Sequence, residues 1–337
     1  MPLLPLIADF LASRATRKPS PHTLAAYRRD LVAVAVLVAG RDPAALPRSG
    51  PLPAPDPLAG VCVDAFTGRA LRAAFARFAA PRAAASVQRA WSTWNSFFTF
   101  LVGEGVVAGN PMLAVARPAS QVPLPKPLRG EQTPERLLAA VAVPDGRQRD
   151  PWPERDLAVL GLALCAGLRL AELLALRTGS VSGRPGERRV EVAGKGGRVR
   201  MIPVEPELDA LVEAYLDSRR RRFGARSVEV GGALLVDRWG APLRRGGLQY
   251  LVESCYRRAG VTDRVPRGAR LHALRHTFAT RLAEDGASAS EIMRLLGHAS
   301  LASSQNYIEV TAGQQRAAIR ANRTNRVLGT LLGVPGG

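Results

Sequence analysis

The pattern of apolar positions predicts helices through the first third of the chain. Two amphipathic stretches, Gly68–Phe78 and Ala84–Val102, repeat apolar side chains three and four residues apart. Ser20 followed by Pro21 is typical of a helix N-terminus. The second stretch carries a row of large side chains made of Trp91, Trp94, Phe98 and Leu101. We interpret this row as core rather than as a base-stacking surface, because helical spacing is what packing requires.

Proline-rich segments divide the chain. A Pro-, Ala- and Gly-rich loop covers Asp42–Gly60 within the first helical region. A second break, 118–130, has prolines at positions 118, 123, 125 and 127, a density typical of an extended, semi-rigid linker. The sequence therefore predicts a helical domain over 1–117, a linker over 118–130, a second domain over 131–310 and a C-terminal tail over 311–337.

The second domain mixes two periodicities and is expected to be mixed α/β, mainly α. Helical segments are predicted near 134–142, 154–165, 170–177, 206–222, 245–259, 270–285, 289–296 and 301–309. Arg189–Ala193 and Arg198–Val204 instead alternate, and the glycine-rich stretch Gly194–Gly197 between them is typical of a β-hairpin. Ser288, with Glu291 three residues later, predicts a capping box at one helix start.

Composition favours a nucleic-acid-binding protein of the cytoplasm. A net charge of +19 attracts polyanions, although a solvated basic surface is the alternative. The three cysteines, Cys62, Cys165 and Cys255, are widely spaced, so neither a disulfide framework nor a zinc site is expected and a reducing compartment fits. The longest apolar runs, Leu31–Ala39 and Leu157–Leu168, are too short to span a bilayer, and no signal peptide or membrane contact is expected.

Three of the four histidines lie close together in the sequence, just before a tyrosine. His272, His276 and His298 fall within 27 residues and are followed by Tyr307. A zinc site is disfavoured because Arg275 lies between the first two histidines and would repel the metal. The alternative interpretation is that these histidines are separate core residues whose ring nitrogens are hydrogen-bonded within the protein. The sequence predicts no metal.

A lysine at the predicted hairpin tip stands out from an arginine-rich chain. Only three of the 47 basic residues are lysines: Lys18, Lys126 and Lys195. Gly194–Gly197, which contains Lys195, resembles the end of a phosphate-binding loop. That pattern requires a glycine where Arg189 stands and a serine or threonine where Gly196 stands. We therefore reject a nucleotide site and expect no cofactor.

Taken together, the motifs resemble those of the tyrosine recombinases. In the family's order they are Gly167-Leu168-Arg169-Leu170-Ala171-Glu172-Leu173, the hairpin lysine Lys195, His272-Ala273-Leu274-Arg275-His276, Leu296-Gly297-His298 and Tyr307. The chain is similar over nearly its whole length to Xer-type chromosome-dimer recombinases and simple phage-type integrases. The resemblance implies an α-helical, SAM-like core-binding domain followed by the family's catalytic domain, together forming a C-shaped clamp on DNA.

The resemblance also implies catalytic roles on the phosphate side of the reaction. Arg169 and Arg275 match the family's arginine pair, and guanidiniums bind the non-bridging phosphate oxygens bidentately. His298 is expected to hydrogen-bond the same phosphate. Lys195 matches the hairpin lysine that protonates the departing 5′-oxygen, which a guanidinium cannot do because it holds its proton too tightly.

Further residues are implied on the nucleophile side. Tyr307 is the expected nucleophile and leaves a 3′-phosphotyrosine and a free 5′-hydroxyl. His272 is expected to move the proton of the nucleophile. His276 is expected to be a buried residue that orders the arginine helix, and Glu172 is expected to support the same group.

The implied partners are double-stranded DNA at a specific recombination site and other recombinase copies, as a homo- or hetero-tetramer on two sites. We do not expect the additional arm-binding domain of larger phage integrases. An integrase or excisionase of a mobile element is the alternative role. A catalytically inactive DNA-binding protein and a type IB topoisomerase are rival functions.

Apolar positions in the tail, around Val327-Leu328 and Leu331-Leu332, predict a short helix that exchanges between protomers.

Overall fold

The computed structural model describes most of the chain. The described residues are 1–16, 21–43, 56–119, 124–144, 146, 150–184, 186–194, 197–297, 304–305 and 307–308. The chain divides into two compact units, the first ending at Pro123 and the second beginning at Leu124. This division falls within the proline-rich segment 118–130. The tail over 311–337 lies outside the described residues.

The first unit is helical. Its α-helices are α1 (Leu3–Ala15), α2 (Pro21–Val38), α3 (Gly68–Ala79) and α4 (Ala84–Gly103), with 3-10 turns at Val63–Ala65 and Pro111–Ala114. The predicted bounds of α3 and α4 are correct to within a residue. Helix α1 was not predicted as a separate element. Most of the predicted loop over 42–60 lies outside the described residues.

Aromatic packing forms the core of the first unit. Trp94, Phe98 and Leu101 are almost fully buried, which confirms that these members of the predicted row are core. Trp91 is half-buried and donates its indole N–H to the backbone oxygen of Val115. The Trp94 indole donates to the backbone oxygen of Asp30 at 3.1 Å, so the polar edge of this ring is satisfied inside the core.

The second unit combines seven helices and three strands among its described residues. The helices are α5 (Thr133–Ala142), α6 (Pro153–Cys165), α7 (Leu170–Ala175), α8 (Pro206–Phe223), α9 (Arg245–Arg258), α10 (Arg270–Glu284) and α11 (Ala289–Leu296), and the strands are β1 (Val181–Ser182), β2 (Arg189–Ala193) and β3 (Val199–Pro203). Shorter 3-10 turns cover Ala225–Val228 and Thr262–Arg264. All the predicted helices before residue 297 are present.

The strands form an antiparallel sheet in the order β1-β2-β3. The β2–β3 register pairs Arg189 with Pro203 and Ala193 with Val199, which confirms the predicted hairpin. Burial alternates along β2, and Val190 and Val192 face the core. Strand β1 was not predicted, because a strand of two residues is too short to show an alternation of apolar and polar side chains. The tip residues 195–196 lie outside the described residues.

Helix α6 forms the centre of the second unit. Its residues 158–164 are buried on all sides, as the continuous apolar run predicts, and it packs against α8 and α10. Leu211 and Leu208 approach so closely that a Cβ on Gly161 would lie 2.8 Å from the Leu211 side chain. Within the part of the chain that the structure describes, no helix is both long and apolar enough to cross a membrane.

Helix α11 ends immediately before a predicted site residue. Ser288 and Glu291 form the predicted capping box at its start. Gly297 ends the helix in a left-handed conformation, with φ of 62°. A Cβ at Gly297 would also lie 3.0 Å from the Arg200 guanidinium. Both the left-handed backbone and this close approach therefore favour glycine at position 297. His298, which follows, lies outside the described residues.

Candidate active site

A glycine turn places Arg169 beside helix α10. Gly167 has φ of 60°, and a Cβ there would lie 2.4 Å from the Phe278 ring of α10. Only glycine therefore allows this turn to pack onto the helix. Arg169 follows as the N-cap residue of α7, and its guanidinium donates to the backbone oxygen of Leu296 at 3.1 Å. The turn thus brings α7 and the end of α11 together.

Arg275 extends from α10 into the same junction and is only 4% exposed. Its guanidinium donates to the backbone oxygens of Gly167, at 2.5 Å, and Leu296, at 2.6 Å. Burial and the nearby charge of Arg169 lower the pKa of Arg275 to about 9, which leaves it protonated at neutral pH. The two guanidiniums of the predicted arginine pair, Arg169 and Arg275, therefore meet at one carbonyl oxygen.

Glu172 lies at the centre of this group, 6% exposed. It accepts hydrogen bonds from the Arg169 guanidinium and backbone N–H, both at 2.8 Å, and bidentate bonds from Arg200 at 2.9 Å. Arg275 lies 3.8 Å away. Burial opposes ionisation of Glu172, but the bonds from Arg200 and Arg169 outweigh it and lower its pKa to about 2.

The net charge of four side chains, which we call the arginine cluster, favours the binding of an anion. The cluster consists of Arg169, Glu172, Arg200 and Arg275. Three guanidiniums surround one carboxylate, so these four side chains carry a net charge of +2 at neutral pH. Much of that charge is removed from water, which strengthens its interaction with an incoming phosphate. The cluster can therefore hold a phosphate group whose negative charge increases during reaction.

Arg200 is the member of the cluster that the sequence did not reveal. It lies on β3, donates to the Leu295 backbone oxygen at 2.9 Å, and links the hairpin to both Glu172 and the end of α11. The side chain is 12% exposed. One signal was present in the sequence: Arg200 lies two residues before Ile202, on the inward side of an alternating strand, where an apolar residue is expected.

Tyr307 and His276 form a second group, the histidine–tyrosine pair. The Tyr307 hydroxyl lies 2.7 Å from His276 Nδ1. Tyr307 is 3% exposed and packs in a small apolar cluster with Ala279 and Ile292. Burial raises the pKa of Tyr307, while Arg275 and Arg169 oppose that rise. Burial, then His272, Arg275 and Lys126, lower the pKa of His276 to about 4, so its imidazole is neutral at pH 7.

This contact differs from the expected division of roles between the two histidines. His276 was expected to be a buried residue that orders the arginine helix, whereas the structure places its Nδ1 2.7 Å from the hydroxyl of the predicted nucleophile. His272 lies one turn earlier on α10, with its ring centroid 6.4 Å from that of His276. Its side chain is open to solvent in part, and desolvation together with Arg275 and Arg169 lowers its pKa.

The structure thus brings four of the six predicted catalytic residues, Arg169, Arg275, His272 and Tyr307, to α10 and its neighbours. The other two, Lys195 and His298, lie outside the described residues. Their positions in the chain are next to described ones: the hairpin strands lead to 195, and the left-handed Gly297 precedes 298. No group of three or more metal-ligating side chains occurs among the described residues.

The chain is similar to known proteins over most of its length. The phage integrase family matches residues 129–314. Tyrosine recombinase XerC of Mycobacterium bovis (strain BCG / Pasteur 1173P2) is 32% identical over 311 residues, 92% of this chain and 94% of that protein. The XerH site-specific recombinase bound to palindromic difH substrate has a TM-score of 0.63 at 18% identity, covering 77% of this chain and 73% of that one. A lambda integrase tetramer bound to a Holliday junction has a TM-score of 0.62 at 20% identity, covering 90% and 76%.

The two solved structures share the fold, and relatives similar along the sequence are named tyrosine recombinases, which are DNA strand-transferring enzymes. The protein is therefore an enzyme of this class. Because the family covers more than half of the chain, and because a relative above 30% identity matches nearly all of it, the chain belongs to the phage integrase family.

Proposed function

We propose that the protein binds double-stranded DNA at a specific site, and cuts and rejoins its strands through a covalent bond to Tyr307. The observation that carries this proposal is the arginine cluster next to Tyr307. Arg275 is bonded to the Leu296 carbonyl, and Leu296 packs in the same apolar cluster as Tyr307. A cationic phosphate site and a phenol nucleophile on adjoining elements fit attack by the phenol on a phosphodiester.

The proposed cleavage step conserves the energy of the broken bond. The Tyr307 oxygen attacks phosphorus, the bond from phosphorus to the 5′-oxygen breaks, and a 3′-phosphotyrosine and a 5′-hydroxyl result. Arg169 and Arg275 bind the non-bridging oxygens, with His298 as a further donor. Lys195 gives its proton to the departing 5′-oxygen. Attack by a 5′-hydroxyl on the phosphotyrosine reverses the chemistry, so rejoining needs no outside energy.

The proposed assembly is a tetramer on two DNA sites. The net charge of +19 supports DNA binding. Two solved structures of the same fold, one bound to its DNA substrate and one a tetramer on a Holliday junction, support this assembly. The predicted tail helix over 311–337 would pass from each protomer to the next.

We propose that the biological role is Xer-like resolution of chromosome or plasmid dimers in the cytoplasm. Similarity over most of the chain to proteins named XerC supports this role. Integration or excision of a mobile element is the alternative. The two roles differ in where the target lies: a single chromosomal site fits dimer resolution, and paired sites that flank an insertion fit a mobile element.

The experiment is strand exchange between two labelled duplexes that carry the bound site, with the site first mapped by footprinting. The wild-type chain should form a covalent adduct and exchange strands between duplexes. Tyr307→Phe should bind with nearly unchanged affinity and form no adduct, because only the attacking oxygen is removed. Adducts without exchange between duplexes would indicate a topoisomerase, and binding without adducts would indicate a DNA-binding protein.

A further inference from the structure

The residue in hydrogen-bond contact with the proposed nucleophile is His276. The Tyr307 hydroxyl lies 2.7 Å from its Nδ1, and the two ring centroids are 5.7 Å apart. A proton acceptor must reach the hydroxyl oxygen at about this distance, directly or through one water. His272, the histidine that the sequence motif favours for this task, lies one turn earlier on α10.

The surroundings of His276 keep its ring neutral before the reaction begins. The titratable groups that face it are His272 and Arg275 on its own helix, Lys126 from the segment before α5, and Tyr307. The cationic members of this set disfavour a second proton on the imidazole, as burial does. The ring is therefore neutral across the physiological range, and one of its two nitrogens carries a lone pair.

Burial raises the pKa of Tyr307, so its hydroxyl needs a proton acceptor in order to attack. Tyr307 is buried, which disfavours its charged form, but the positive charges of Arg275 and Arg169 act in the opposite direction. A proton that leaves Tyr307 thus moves toward His276 while the phenolate charge that remains is stabilised by the arginine cluster.

We propose that His276, rather than His272, accepts the proton of Tyr307 and holds its hydroxyl for attack. The inference rests on the proposed function of Tyr307 as the nucleophile. During cleavage the Tyr307 proton moves to His276 Nδ1 as the oxygen–phosphorus bond forms, and the 5′-oxygen leaves with a proton from Lys195. During rejoining His276 returns its proton to the Tyr307 oxygen as that oxygen leaves phosphorus.

The test is single-turnover cleavage of a nicked suicide substrate by the full chain, from about pH 6 to 9, at saturating protein. His276→Ala should slow cleavage by about 100-fold or more, the usual contribution of a positioned base. Its rate should rise toward tenfold per pH unit, since phenol ionisation in bulk water then limits attack. Added imidazole should restore part of the rate, because it can occupy the space of the missing ring.

Two further variants separate proton transfer from positioning. His276→Asn keeps a hydrogen-bond acceptor near Tyr307 but no base, so it should also be slow and should not respond to imidazole. His272→Ala should keep the wild-type pH slope, whatever rate it loses through contacts with DNA. His22→Ala, a solvent-exposed histidine on α2 in the other unit, is the matched control and should cleave at the wild-type rate.

The outcomes distinguish this inference from the proposed function. If the wild-type chain forms no adduct with any site it binds, the proposed function fails. If the wild-type chain forms adducts, but His276→Ala and His276→Asn cleave at wild-type rates, the inference is overturned. It is equally overturned if the steep pH slope and the imidazole rescue appear in His272→Ala and are absent from His276→Ala.

Discussion

The two halves of the active site are held by different interactions. In the arginine cluster, Glu172 accepts four hydrogen bonds from Arg169 and Arg200, and Arg275 is bonded to two backbone oxygens. In the histidine–tyrosine pair, Tyr307 rests on apolar neighbours and on its contact with His276. The proposed phosphate site is thus held by a network of ion pairs and hydrogen bonds, whereas the proposed nucleophile lies in a small apolar cluster beside His276.

The greatest loss of activity should come from replacing a guanidinium of the arginine cluster. Arg275→Lys keeps the charge but cannot bond the Gly167 and Leu296 oxygens together and still face a phosphate. We expect cleavage to fall by about 100- to 1000-fold, the scale for losing one transition-state donor. Single-turnover cleavage measures this. Arg281→Lys, on the same helix but half-exposed, is the control and should change the rate little. Equal losses in both variants would mean that the arginine cluster has no special role.

The next effect concerns the carboxylate that the cluster surrounds. Glu172→Gln leaves three neighbouring guanidiniums without a counter-charge and should lower the free energy of unfolding by about 3 kcal/mol. Urea unfolding at neutral pH measures this. Glu135→Gln, which removes an exposed partner of Arg281, should cost less than about 1 kcal/mol. A small loss in the Glu172 variant would show that the cluster is not held together by this charge.

The dependence of stability on acid pH should distinguish the arginine cluster from the histidine–tyrosine pair. The pKa of Glu172 is lowered to about 2 in the folded chain, below its ordinary value near 4.5. Its contribution to stability is therefore complete above about pH 4.5 and is lost as the pH falls toward 2. The Glu172→Gln substitution should remove that part of the pH dependence. The stabilities of Glu172→Gln and wild type should converge as the pH falls through this window, and parallel curves would rule out the assignment.

A smaller effect is expected from Arg200, because Glu172 keeps Arg169 when Arg200 is changed. Arg200→Lys cannot donate to Leu295 and bind Glu172 bidentately at once. We expect a loss of about 1–3 kcal/mol in stability and a slower cleavage step, since the hairpin is then less firmly tied to the end of α11. Arg198→Lys, exposed on the same hairpin, is the charge-matched control. Indistinguishable variants would show that Arg200 does not tie the hairpin to the cluster.

Local signals made much of the fold predictable. Helix α4, the β2–β3 hairpin and the Ser288 capping box each follow from spacing or turn chemistry within a few residues. The family motifs also pointed to Arg169 and Arg275. The contact between His276 and Tyr307 was not predictable in this way, and the only local signal for Arg200 was its polar side chain on the inward face of β3. These two features depend on partners 31 and 28 residues away, and only the packed fold brings those groups together.

Tyr307 is the residue on which the whole proposed reaction depends, because it would carry the DNA. Its role is tested by trapping the adduct on a suicide substrate, digesting protein and DNA, and mapping the modified peptide by mass spectrometry. The chain has five tyrosines: Tyr27, Tyr215, Tyr250, Tyr256 and Tyr307. We predict a nucleotide remnant on the peptide that contains Tyr307 and on no other tyrosine. A remnant on another tyrosine, or on a serine, would be incompatible with the proposed reaction.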